Sequence, residues 1–418
     1  MSTNDRIHDL DAVRAFALLL GVVFHACLSF VPVPIGWAVM DISASQSILA
    51  FVLVSHSFRM PLFFLIAGFF GRMAFHRKGV GTFLRSRAVR LGIPFVVGWW
   101  ILWPLIISGW IMGGASMRGE VDVWKALMGG FASFGQFPKG LFVQTHLWFL
   151  YYLILITLLS LVLRKLTGLA GPIRPRLVKA GDKLVECLSR PWGVLLVALP
   201  AALVLWFMRG WGMDTPDKTL IPHIPVLLVY GGAFQLGWII QRNPSVLDGW
   251  ARPGWFQWVL LSLAFGCSLW LVGYQADPSH PRLLLFRTGF VVSYALMMWL
   301  LVFLTIGLFR RWMSRSRAWV RYLADASYWM YLIHLPVVVW LQVAVSEWPI
   351  HWFPKWGFLS VVTIGISLLT YDLFVRSSLI GKTLNGRRQQ RELRFGLIPD
   401  NVRRSGVARK TLNVTEIN

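Results

Sequence analysis

The chain has 418 residues, of which 56% are hydrophobic and 14% are charged, whereas about 25% of the residues in a typical soluble domain are charged. Apolar runs of about 20 residues recur along it, so the composition excludes an ordinary soluble protein and predicts an all-α, polytopic helix bundle in a membrane. The formal net charge of +23 would suit a nucleic-acid-binding protein. The distribution of the basic residues, described below, argues against that class, and we expect no nucleic-acid partner.

The first apolar run, residues 10–30, reads LDAVRAFALLLGVVFHACLSF and carries Asp11, Arg14 and His25. At about 100° and 1.5 Å per residue, Arg14 and His25 share one face of a helix and lie roughly 16 Å apart. Asp11 lies near the same face, where it can orient Arg14. Ionisable residues inside a membrane are costly and suggest function, although hydrogen bonds to neighbouring helices would be a structural explanation. No small-residue cleavage site follows, so we interpret the run as a retained signal anchor.

About ten transmembrane helices are predicted from the apolar runs. They cover approximately residues 11–31, 48–71, 91–112, 146–164, 192–208, 223–241, 255–273, 284–308, 323–345 and 356–376.

Lys and Arg are dense in every second connection between these runs and sparse in the others. This alternation is the positive-inside pattern, and it predicts that both termini lie in the cytoplasm. Residues 1–376 then form one integral membrane domain. Residues 377–418 form a basic cytoplasmic tail, which we expect to be partly disordered and to contact anionic membrane lipids.

The second run contains His56 and Arg59 in SHSFRMPLFFLIAGFF, at a spacing that places them on adjacent faces of one helix. Pro61 follows them and predicts a kink. A structural explanation for Arg59 would be hydrogen bonds to backbone carbonyls.

Before the third run, RSRAVRLGIP places Arg87 and Arg90 on one helical face. Paired guanidinium groups at the mouth of a bundle suit phosphate groups. Ordinary positive-inside charge would explain them equally well.

The fourth run opens with THLWFLYYL, which contains His146 and Trp148. Aromatic residues at a membrane surface are typical of interfacial belts, and their faces also suit the packing of sugar rings.

The ninth run reads LADASYWMYLIHLP, in which Ser327, Tyr331 and His334 form one helical stripe. Asp325 and Ser327 stand at its start, where we expect them to act as capping groups.

The three cysteines have no metal, redox or disulfide spacing, and no nucleotide-binding, zinc-protease or serine-hydrolase motif is present. We therefore predict no metal site. The ionisable residues in the apolar runs leave two classes open: a transporter with a charged pathway, and an enzyme that works within the membrane.

Five segments together resemble the acyltransferase 3 family of integral membrane acyltransferases. In chain order they are LDAVRAFALLLGVVFH, HSFRMPLFFLIAGFF, RAVRLGIP, HLWFL and ASYWMYLIHLP. Within the family, the chain looks closest to the branch that succinylates osmoregulated periplasmic glucans. The resemblance implies that His25 is the catalytic histidine, that Arg14 is the basic residue paired with it, and that Arg87 and Arg90 bind the phosphates of the donor.

The resemblance also implies a location in the bacterial inner membrane, and it implies the reaction. Acyl-CoA, with succinyl-CoA the favoured donor, would bind from the cytoplasm as a substrate, and no cofactor would be bound permanently. His25 would act as general base on a hydroxyl of a periplasmic glucan or other envelope polysaccharide, or would carry the acyl group covalently across the membrane. Asp11 would orient Arg14. Candidates for contacts with the acceptor or the transition state are His56, Arg59, His146, Trp148, Ser327, Tyr331 and His334.

Three alternatives stay open at this point. The chain could O-acetylate another envelope polysaccharide, move glucan or acyl groups without chemistry, or serve as a sensor or scaffold. Candidate protein partners are a second copy of the chain and proteins of glucan synthesis.

Overall fold

The computed structural model describes residues 7–136, 145–275 and 279–392, and these residues contain helices but no β-strand. The all-α prediction is confirmed. Helices suit a bilayer because each one satisfies its backbone hydrogen bonds internally.

The α-helices of the described residues follow one another along the chain. They are α1 (His8–Cys27), α2 (Ser47–Lys78), α3 (Val80–Arg87), α4 (Ile93–Ser116), α5 (Val123–Ala132), α6 (Trp148–Leu169), α7 (Arg174–Leu188), α8 (Leu195–Leu205), α9 (Ile224–Ile240), α10 (Val246–Trp250), α11 (Trp255–Gln275), α12 (Leu283–Trp312), α13 (Ala318–Val345), α14 (Trp352–Thr370) and α15 (Leu379–Asn385). A π-helical turn, Ala88–Gly92, joins α3 to α4, and another, Tyr371–Val375, follows α14.

Eight helical segments of the described residues are long and apolar enough to cross a membrane. They are His8–Phe30, Ser47–Lys78, Val80–Ser116, Thr145–Leu169, Trp255–Tyr274, Leu283–Trp312, Ala318–Val345 and Trp352–Val375. The other two predicted runs, 192–208 and 223–241, fall on the shorter apolar helices α8 and α9. The protein is therefore a multi-pass membrane protein, whereas the count of ten spans and the orientation stay predictions.

The packing of α2 on α9 depends on two glycines. A Cβ atom on Gly68 would lie 1.9 Å from the carbonyl oxygen of Phe234, and one on Gly237 would lie 1.8 Å from that of Leu65. The two backbones therefore touch directly, as small residues allow at helix crossings in membranes. This contact fixes the position of α2, which also continues through Pro61 without ending.

The prediction that Asp325 and Ser327 cap a helix is wrong. Helix α13 begins at Ala318, so both residues lie in its interior. The Ser327 hydroxyl donates to the carbonyl of Ala324 at 2.8 Å, and Asp325 Oδ2 accepts from Gln389 Nε2 at 2.9 Å. The helix continues past the edge of its apolar run into the charged segment that precedes it.

The first part of the predicted tail packs against the bundle. Gly381 and Leu384 of α15 are buried, and the segment continues to Glu392, which pairs with Arg376 at 2.6 Å. The rest of the predicted tail, residues 393–418, lies outside the described residues.

Candidate functional site

A cavity of about 1050 Å³ lies inside the bundle, along the whole of α1. It extends from Ile7 and Asp11, at the start of α1, to Leu28 and Trp37 beyond its end. Every site residue predicted from the sequence lines it, namely Asp11, Arg14, His25, His56, Arg59, Arg87, Arg90, His146, Trp148, Ser327, Tyr331 and His334. Segments more than 300 residues apart in the sequence therefore meet in one space.

Histidine rings converge in the middle of the cavity. The ring centroid of His25 lies 5.2 Å from that of His334, which lies 5.5 Å from that of His146. His56 stacks on Phe24, next to His25, at 5.7 Å. In the described parts of the chain, no group of three or more His, Cys, Asp or Glu side chains is placed to hold a metal ion.

Hydrogen bonds to backbone carbonyls orient the rings of the three other histidines of the cavity. His334 Nδ1 donates to the carbonyl of Tyr331 at 2.8 Å, His146 Nε2 to that of Leu332 at 2.9 Å, and His56 Nε2 to that of Met213 at 2.8 Å. Because a carbonyl can only accept, the bonded nitrogen carries the proton. In its neutral form, each ring then keeps its other nitrogen as an acceptor, which for His334 is Nε2.

His25 is held differently. Its Nδ1 is buried and has no hydrogen-bond partner among the described residues. The ring stacks on Trp37 at 5.5 Å, and its backbone carbonyl accepts from Gln342 Nε2 at 3.0 Å. Gln342 Oε1 in turn accepts from Trp37 Nε1 at 2.9 Å. Ring stacking and the hydrogen bond to its backbone carbonyl therefore position His25. Among the described residues, no carbonyl accepts a hydrogen bond from its ring nitrogens.

Arg59 is a buried cation beside these rings, with 7% of its surface exposed. Its guanidinium carbon lies 4.3 Å from the ring centroid of Phe24, and Nη1 is buried without a hydrogen-bond partner among the described residues. The structural explanation, hydrogen bonds to carbonyls, therefore does not describe this side chain. Burying an uncompensated charge costs several kcal/mol, and an anionic ligand would offset that cost.

One end of the cavity, which we call the basic end, contains Arg14, Arg87 and Arg90. Arg14 Nη2 donates to the carbonyl of Ala324 at 2.9 Å and lies 3.5 Å from Asp11 Oδ1. Arg87 ends α3, and Arg90 lies in the π-helical turn that follows. Both side chains line the same cavity as Asp11 and Arg14 of α1, which sequence spacing alone did not establish.

Three other predicted residues form the wall of the cavity. Tyr331 donates its hydroxyl to the carbonyl of His146 at 2.8 Å. Trp148 is 8% exposed and stacks on Tyr230 at 5.7 Å. Ser327 is bonded to its own helix, so these side chains act mainly as wall and support.

The opposite end, which we call the aromatic end, was missed from the sequence. It is lined by Trp37, Trp110 and Trp211, with Asp214 nearby. The Trp211 ring lies 5.9 Å from that of His56. These residues lie mostly in connections between helices, where hydrophobic periodicity gives no signal. Gln342, in contrast, is a lone amide within the ninth apolar run and could have been singled out as a polar residue there.

Comparison with known proteins adds a family match. Residues 7–372 match the profile of the family described as "Acyltransferase domain". The chain is also 25% identical over 400 residues to proteins named "Glucans biosynthesis protein C" from Escherichia coli strain K12 and E. coli O81 strain ED1a, covering 91% of this chain and 95% of each relative. No solved structure gave a significant match.

Proposed function

The chain belongs to this acyltransferase family, and from that premise we propose that it transfers an acyl group from cytoplasmic acyl-CoA to hydroxyls of a periplasmic glucan. The relatives' printed name supports a glucan as the acceptor. We further propose that the protein lies in the bacterial inner membrane with both termini in the cytoplasm, as the alternation of basic connections indicates. Reporter fusions at each terminus would test that orientation.

One observation carries the proposal: a single cavity runs from the basic end to the aromatic end, and His25 lines it between the two ends. A transferase that takes its donor from one side of a membrane and its acceptor from the other needs such a path. The basic end suits the phosphates of CoA, and aromatic faces suit sugar rings.

In the proposed donor complex, Arg87 and Arg90 bind phosphate groups at the basic end. Arg14 lies beside them, at the entrance to the space along α1. The thin pantetheine arm then follows α1 toward His25, over a distance of roughly 16 Å. The thioester reaches the histidine rings while the nucleotide stays outside the apolar layer.

In the proposed chemical step, a neutral His25 accepts the proton of the acceptor hydroxyl. The hydroxyl oxygen attacks the thioester carbonyl, the carbon–sulfur bond breaks, and the CoA thiolate leaves and takes up the proton from His25. A covalent acyl-histidine, later attacked by the sugar, is the alternative route.

Arg59 is the proposed contact for the acyl group. Its unpaired Nη1 would bind the terminal carboxylate of a succinyl group, which an acetyl group lacks. Stabilisation of the thioester oxyanion would be a second role for the same guanidinium.

The test uses purified protein in lipid nanodiscs, supplied with labelled succinyl-CoA and glucan. We expect transfer to glucan together with release of the CoA thiol. We expect His25→Ala to lower the rate about 100-fold or more, the range for loss of a general base. His76→Ala, an exposed histidine on α2 outside the cavity, is the matched control.

The outcomes separate the alternatives. Normal transfer by His25→Ala would contradict the assignment of His25 as base. Movement of glucan or acyl groups without release of thiol would indicate a transporter. Labelling with acetyl-CoA alone would indicate an O-acetyltransferase.

A further inference from the structure

The basic end of the cavity contains more cations than the donor residues named so far. Among the described residues, Arg77, Lys78 and Arg387 also line it. Arg77 and Lys78 end α2, whereas Arg387 follows α15, close to the end of the described chain. Together with Arg14 on α1 and the Arg87–Arg90 pair at the end of α3, they bring cations from four parts of the chain to one cavity.

The segment that carries Arg387, residues 379–392, is here called the C-terminal strap. It is tied to the cavity wall by hydrogen bonds to two helical segments. Asn385 accepts from Arg90 Nη2 through its backbone carbonyl at 2.7 Å, and its side-chain Nδ2 donates to the carbonyl of Asp325 at 2.9 Å. Gln389 donates to the Asp325 carboxylate at 2.9 Å. The strap is thus part of the wall at the basic end.

Gly386 brings the strap against Arg90. Its φ of +78° favours glycine, and a Cβ atom there would lie 1.9 Å from Arg90 Nη2. Any side chain at this position would displace the guanidinium or the strap. Arg387, the next residue, lines the cavity.

Among the described residues that line this end, cations outnumber carboxylates. Among the described residues that line it, Arg14, Arg77, Lys78, Arg87, Arg90 and Arg387 are cations, and only Asp11 and Asp325 are anions. The cations repel one another: Arg90 lies in the field of Arg14, and Lys78 in the fields of Arg77, Arg87 and Arg90. A ligand with several negative charges would relieve this repulsion, and guanidinium groups bind phosphate oxygens in pairs.

We propose that the C-terminal strap forms part of the wall of a polyphosphate site, in which Arg387 is a phosphate ligand and Gly386 allows the strap to pack against Arg90. The inference rests on the proposed function, because the polyphosphate is the nucleotide part of its CoA donor. It adds to that donor site a second segment of the chain and a further phosphate ligand, Arg387.

The test is calorimetric binding of CoA to the full-length protein in detergent. Arg387→Ala is expected to weaken binding about tenfold or more, the usual scale for a charge-assisted contact. Arg388→Ala, an adjacent exposed arginine outside the cavity, is expected to change it less than about twofold. Pantetheine, which lacks phosphates, should bind both variants alike.

A second variant, Gly386→Ala, tests the seating of the strap. We expect it to weaken CoA binding and raise the donor KM with little change in kcat, while size-exclusion chromatography shows an intact protein. Arg387→Lys should retain part of the affinity that Arg387→Ala loses.

Equal CoA affinities for the wild type, Arg387→Ala and Gly386→Ala would overturn the strap proposal and leave the proposed function standing. A wild-type protein that does not bind CoA would overturn the donor assignment itself, and the strap proposal with it.

Discussion

The basic end and the aromatic end of the cavity are built from different parts of the chain. At the basic end, Arg14 and Arg90 lie on helical segments and donate to carbonyls of distant segments, at 2.9 and 2.7 Å. At the aromatic end, Trp37 and Trp211 lie in connections between helices. Asp214, beside Trp211, accepts from the backbone N–H groups of its own loop.

The difference indicates what each end can select. Helical segments hold several cations in fixed positions, which suits the phosphates of one defined donor. Connections with aromatic side chains offer ring faces and charges of both signs, which suits a carbohydrate with many hydroxyl groups. Mutations at the two ends should therefore separate donor effects from acceptor effects. The four predictions below test that separation, from the largest expected effect to the smallest.

The largest effect is expected when both Arg87 and Arg90 are replaced by Ala. Loss of two charge-assisted phosphate contacts should raise the donor KM about 100-fold and leave the acceptor KM unchanged. Arg85→Ala is the matched control, since Arg85 is exposed and lies outside the cavity. Equal donor KM values for the double variant and the wild type would show that the pair serves only membrane topology.

Replacing Arg59 tests the middle of the cavity. Arg59→Met should lower kcat/KM for succinyl-CoA about tenfold to 100-fold and change that for acetyl-CoA much less, because only succinyl has a carboxylate. Arg59→Lys should keep part of the preference. If the two donors lose activity equally, the guanidinium contacts the thioester oxyanion instead.

Gln342 should act as a positioning residue. Gln342→Leu removes the hydrogen bond to the His25 carbonyl and the one from Trp37. We therefore expect kcat to fall about tenfold at unchanged donor KM. Gln342→Glu separates the two roles, because a carboxylate accepts from Trp37 but cannot donate to a carbonyl. Gln235→Leu, which removes the bond from Gln235 to Ser160 outside the cavity, is the control. A kcat for Gln342→Leu equal to that of the control would contradict the role.

The smallest effect is expected at the aromatic end. Trp211→Ala removes one ring face, and a loss of about 1 kcal/mol should raise the acceptor KM roughly fivefold at unchanged donor KM. Trp348→Ala, an exposed tryptophan outside the cavity, should leave both KM values unchanged. A change in the donor KM of Trp211→Ala would break the separation between the two ends.

Residues on one helix could be placed from the sequence. The shared face of Arg14 and His25 follows from helical periodicity, and so does the stripe of Tyr331 and His334. Both pairs line the cavity. The family resemblance, confirmed by the match over residues 7–372, supplied the acyltransferase activity, which periodicity alone could not give.

Residues placed by long-range packing could not be found in this way. Asn385 and Arg90 are 295 positions apart and meet only because α15 folds back onto the bundle. Trp211 contacts His56 from a connection between helices, where the sequence has no hydrophobic periodicity. The start of α13 was misplaced for a related reason: its first turns are charged, so hydropathy alone placed the start of the helix too late in the sequence.

The glycine contact between α2 and α9 has a consequence for genetics. A random screen for loss of function should yield two kinds of allele. Changes at His25 or Arg87 should leave a full amount of inactive protein in the membrane. Changes at Gly68 or Gly237 push two backbones apart, since a Cβ there would overlap a carbonyl oxygen at 1.9 or 1.8 Å, so the protein should disappear from immunoblots. A change at one glycine cannot be compensated by a smaller residue at the other, because both already lack a side chain. Suppressor mutations of the glycine alleles should therefore map to other positions.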